Sequence, residues 1–152
     1  MRALLFLGHF LGFVLWLGGG LAAMQVGTQM RSAGREESAL LLSVLVRLYR
    51  GMLLPGAVLT VLTGLLLTLR LYGGAVSVAG YPTALMVMQG TGLLGAAILI
   101  AVGFPAAIRL ARLDPTGPHA DRFQSLRRRV STSGGLTGVL ALIALVAAAL
   151  LR

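Results

Sequence analysis

Four apolar runs, at about residues 3–26, 51–71, 83–108 and 134–151, each reach the roughly twenty residues that a helix needs to cross a bilayer. Inside lipid every backbone N–H and C=O must be satisfied within the protein, and a lone apolar run of this length can do so only as a helix. The composition agrees: 57% of the residues are hydrophobic, 11% are charged, and the mean hydropathy is +0.91. A soluble domain of 152 residues cannot bury that much apolar surface, so lipid must be the solvent for most of it. The expected fold is all-α: an integral membrane four-helix bundle, with residues 1–152 forming a single transmembrane domain.

Charge then orients the bundle. The thirteen basic residues are all arginine, and the formal net charge is +9. Such a balance often marks nucleic-acid binding, but no basic soluble segment is long enough to offer a nucleic-acid surface. Arginines flanking apolar spans suit anionic lipid headgroups instead. The first and third connections carry Arg31, Arg35, Arg47, Arg50, Arg109, Arg112, Arg122, Arg127, Arg128 and Arg129. The opposite side has Arg2, Arg70 and Arg152. Ten arginines against three predict two basic cytoplasmic loops and both termini outside. The N-terminal run, with small residues at Ala22 and Ala23, resembles a secretory leader, but it is longer than a leader core. It reads as a retained span.

Punctuation along the chain sets finer expectations. Ser38, after Glu36 and Glu37, suits the start of a helix leading into the second span. Pro55 should kink that span. Pro115, Gly117 and Pro118 call for a turn, followed by a short basic helix. Ser131-Thr132-Ser133 reads as the start of span four. Gly8 and Gly12, and again Gly134 and Gly138, form GxxxG steps that allow close helix packing. The first step would also allow a homodimer.

His9 is the costly residue. An ionisable ring at bilayer depth must be bonded, hydrated or ligated, so it marks a candidate site. His9, Phe13 and Trp16 share one helix face by their i, i+4, i+7 spacing. At 1.5 Å per residue His9 lies about 9 Å below a boundary near Ala3, level with Met86 and Met88 at the start of span three. Arg70 and Tyr72 stand at the rim on the same side. His119 falls in the opposite loop and cannot join His9 within one chain.

Two cofactors suit that set. Haem could take His9 and a methionine as axial ligands, with Arg70 against a propionate. Cu(I) could take His9 with Met86 or Met88, thioethers being soft ligands. Residues two apart on a helix point about 200° apart, so only one of the two methionines can face His9. Packing alone also accounts for methionines in apolar gaps.

The stretch HFLGFVLWLGG resembles the opening of the HemJ-type protoporphyrinogen IX oxidases: histidine, six residues, tryptophan, one residue, then small-Gly. RLYRGMLLPGAVLTVLTGLLL is similar to that family's Arg-Leu-Tyr-Arg segment, its proline five residues on and its later Thr-Gly. The likeness covers about the first half of the chain and extends to CopD-like copper-resistance proteins. It implies a four-helix bundle binding haem b, with His9 as axial ligand, Trp16 nearby, and Arg47, Tyr49 and Arg50 as motif positions. The family's Leu-His-x-Lys element is replaced by Leu85-Met86-Val87-Met88, so a methionine stands in place of both the histidine and the lysine. Met86 would then be the second ligand, and the lysine's charge has no substitute.

No nucleophile–base–acid set is present, and Glu36, Glu37, Asp114 and Asp121 lie in loops beside arginines. Any chemistry must come from a bound cofactor. Three readings remain open: a haem-b redox protein with a porphyrin or quinone-linked electron partner, a copper-handling membrane protein, and a cofactor-free subunit of a larger membrane complex.

Overall fold

The computed structural model describes the chain apart from residues 1, 31, 74–79, 114–117, 119 and 152. Arg31, Asp114, Pro115, Gly117, His119 and Arg152 therefore lie outside the described residues. The described elements are all helical: α1 (Arg2–Gln29), α2 (Arg35–Leu48), α3 (Leu54–Tyr72), α4 (Thr83–Ile98), α5 (Phe104–Leu110) and α6 (Ala120–Ala149). Five-residue π-helical turns, Tyr49–Leu53 and Leu99–Gly103, join α2 to α3 and α4 to α5. Four continuous rods result: Arg2–Gln29, Glu36–Tyr72, Thr83–Leu110 and Ala120–Ala149. Each is long and apolar enough to cross a membrane.

The π-turns answer to the prolines. Proline lacks an N–H, and its ring collides with the carbonyl four residues back. For Pro55 and Pro105 that carbonyl belongs to Gly51 and Ala101, both inside the π-turns. The widened turn moves it aside, and the Leu54 and Phe104 N–H groups reach five residues back, to Tyr49 and Leu99.

Close approaches at glycines fix the register. Gly12 faces Gly56 and Thr60, Gly19 faces Met52 and Leu53, and Gly95 faces Trp16 and Leu140. Thus α1 runs antiparallel to α3, and α4 to α6, these being the two most extensive helix pairs. Gln89 Nε2 donates to Thr68 Oγ1, tying α4 to α3. The Tyr72 and Tyr81 rings meet edge-on, 5.3 Å between centroids, at the same end. Trp16 is 4% exposed and joins Leu53, Ala57, Ala96 and Leu99 in the apolar core. That core continues toward the arginine-rich end through Leu42, Leu45, Leu110, Phe123, Leu126 and Val130.

Three expectations are corrected. Helix α2 begins at Arg35 rather than at Ser38, with Ser38 buried in its first turn and the Ser38 Oγ 3.4 Å from the Ala33 carbonyl. Span four has no start at Ser131-Thr132-Ser133. The basic segment and the span are one helix from Ala120, and Ser133 and Thr137 satisfy their hydroxyls on carbonyls three and four residues back. Helical hydrogen bonding does not stop where the side chains change from polar to apolar, so an apolar window understates the helix. Finally, Gly8 and Gly12 lie against α3, whereas Gly134 and Gly138 have no neighbour where a Cβ would stand. Only the first GxxxG step packs within the bundle.

Candidate functional site at the α1–α3 seam

Gly12, Trp16 and Gly19 form the buried face of α1, and His9 lies on that face, three residues before Gly12. The two backbones come very close there. A Cβ on Gly12 would stand 2.7 Å from Thr60 N, and one on Gly56 would stand 2.6 Å from Trp16 N. That approach carries the His9 ring onto α3.

His9 Nδ1 lies 2.9 Å from the Thr60 carbonyl oxygen. A carbonyl only accepts, so Nδ1 carries the hydrogen, and in the neutral ring the lone pair is on Nε2. The Thr63 hydroxyl lies 3.4 Å from Nδ1 and donates to the Leu59 carbonyl. The ring rests against Gly64, where an added Cβ would meet Cε1 at 3.0 Å. Thr60 directs its own hydroxyl to the Gly56 carbonyl at 2.8 Å. The imidazole is thus held by α3 with Nδ1 bonded to a backbone oxygen, which leaves Nε2 as the nitrogen able to accept a hydrogen bond or ligate.

The other expected residues divide into three groups. Arg70, about 9 Å outward from Gly64 along α3, lines an open groove of about 240 Å³ with Leu4, Leu5 and Leu66. Leu5 precedes His9 by one turn, so this groove adjoins the histidine. Met88 is half-buried and follows Leu85, the buried residue of its turn, by three positions, while Met86 is 37% exposed. The methionine on the inward face is therefore Met88; the 200° offset turns Met86 outward. Trp16 fills the bundle centre, its ring 3.2 Å from where a Gly95 Cβ would stand.

Arg47, Tyr49 and Arg50 are far from His9. Tyr49 is 2% exposed beside Gly103, roughly 20 Å from His9 along the bundle axis, and the two arginines are exposed. No group of three or more His, Cys, Asp or Glu side chains converges among the described residues. A metal or haem iron at His9 would draw on the imidazole and, from α4, on a thioether.

Thr60, Thr63 and Gly64 did not figure among the expected site residues. Their signal is in the sequence: Thr63-Gly64 is the Thr-Gly of the second motif, and an antiparallel α3 brings it to the depth of His9. The two halves of the resemblance, distant in sequence, thus meet at one point. No family model matches this chain, and no curated protein or solved structure matches it.

Proposed function

We propose that the chain is a multi-pass protein of the bacterial cytoplasmic membrane, with both termini outside, that binds haem b through His9 and serves a redox role. That role is electron transfer or oxidation of a porphyrinogen. The observation that carries this reading is the Nδ1–Thr60 hydrogen bond, which orients a membrane-depth imidazole and leaves Nε2 as the donor. Haem, when bound, supplies one-electron iron chemistry that no side chain here provides. His9 ligates, Thr60 and Thr63 hold its ring, and Gly64 leaves room for it. Met88, the inward thioether, would be the second protein donor to such a group, and Arg70 at the rim would favour its carboxylates. The asymmetry of ten arginines against three supports the orientation.

Protein purified from haem-replete cells is expected to show a Soret band that disappears in His9→Ala. A band that persists in the variant overturns the assignment of His9. A colourless protein with stoichiometric copper, lost in the same variant, would move the site to the copper-handling reading. Neither haem nor copper would leave the cofactor-free subunit. Within the haem reading, Met88→Ala is expected to convert a six-coordinate spectrum to a five-coordinate one, and Met86→Ala to leave it unchanged. A spectrum altered only by Met86→Ala would reverse the choice of methionine.

A further inference from the structure

The arginines at the end opposite His9 are sorted by depth. Gly103 lies beside both Tyr49 and Ser133, which gives three rods a common level. Counted from it at 1.5 Å per residue, Arg47, Arg50, Arg109, Arg127, Arg128 and Arg129 all fall within about 9 Å. Five are exposed and Arg127 is half-buried. None pairs with a described carboxylate. The described carboxylates, Glu36, Glu37 and Asp121, lie roughly 18–20 Å beyond the level, past the belt. On the other side, the second rod runs from Arg50 in the π-turn to Arg70 in α3 without a charge between them, about 30 Å, the thickness of a bilayer's hydrocarbon core. The belt therefore stands where lipid phosphates are.

We propose that this belt is a binding surface for anionic phospholipids. Guanidinium stays charged at any physiological pH and takes a phosphate oxygen pair with two parallel N–H donors. Phosphatidylcholine, which is zwitterionic, brings a quaternary ammonium that finds no carboxylate within the belt among the described residues. A net-anionic lipid brings only the phosphate the arginines can use. The belt thus selects headgroups by net charge, independently of whether His9 binds a cofactor.

The test is electron spin resonance of the full chain in vesicles of equal parts phosphatidylcholine and phosphatidylglycerol, with each lipid spin-labelled in turn. The wild-type chain is expected to prefer phosphatidylglycerol. Removing two belt charges, R128Q/R129Q, is expected to lower that preference about thirtyfold, about fivefold for each arginine near the surface. R112Q/R122Q removes the same charge roughly 14–17 Å beyond the common level and is expected to leave the preference within about twofold. Equal losses in the two pairs would assign the effect to net charge and overturn the belt. So would a wild-type chain without preference. Loss of the preference on adding inorganic phosphate would make free phosphate the occupant and overturn the lipid. R47Q/R50Q serves as the belt variant if R128Q/R129Q does not fold.

Discussion

Replacing Gly56 with alanine is expected to destabilise the bundle by at least about 2 kcal/mol and to release His9 from α3. The added Cβ would stand 2.6 Å from Trp16 N and 2.8 Å from the Gly12 carbonyl oxygen, and both are backbone atoms that no rotamer change can move. Alanine improves intrinsic helix propensity by about 1 kcal/mol, which opposes the effect. Overpacking costs about 1–3 kcal/mol where side chains can adjust, and a backbone collision belongs at the upper end or beyond. The clash wins, and α1 must move away from α3. Gly12→Ala meets Thr60 N at 2.7 Å and should cost a similar amount. Since one separation relieves both collisions, the double substitution should cost clearly less than the sum of the singles. Thermal unfolding in detergent measures all three. Additive losses would show that the two glycines do not share one contact.

Trp16→Ala should be as damaging for the opposite reason. The ring is 4% exposed at the bundle centre and reaches from α1 to Gly95 on α4. Truncating a buried tryptophan leaves a cavity and costs about 3–5 kcal/mol where the surroundings cannot collapse. Collapse is resisted here because α1 is already in backbone contact with α3 at Gly12 and Gly56 and cannot advance further. The expected outcome is a lower unfolding midpoint than that of Trp16→Phe, with helix content retained by circular dichroism. A midpoint within a degree of wild type would mean that Trp16 does not fill the centre.

The four rods were legible because the cost of an unsatisfied backbone in lipid leaves a chain of this composition one solution. Their ends were not. α2 and the first third of α6 carry arginine, glutamate and serine, which an apolar window excludes although the helix continues through them. Nor does a glycine show which neighbour covers it: Gly8-Gly12 and Gly134-Gly138 are the same pattern, yet α3 covers one and nothing in the bundle covers the other. That His9 lies toward the Arg70 end of the bundle was legible by counting residues. Its partners were not, because whether a polar ring turns to a carbonyl on α3 or to a thioether on α4 depends on helix rotation, which spacing alone leaves open.

The pairing of the rods also sets an order in time. α1 lies mainly along α3 and α4 mainly along α6, so each seam joins rods that emerge consecutively from the ribosome. By the time α3 has been released, the Gly12–Gly56 contact and the His9–Thr60 bond can both form, before α4 and Met88 have emerged. The nascent chain would then spend its second half with the imidazole already seated and the bundle still open on the side that α4 and α6 later close. Insertion of anything bulky beside His9 is therefore easiest during biogenesis, and a chain divided between α3 and α4 keeps each seam whole within one fragment.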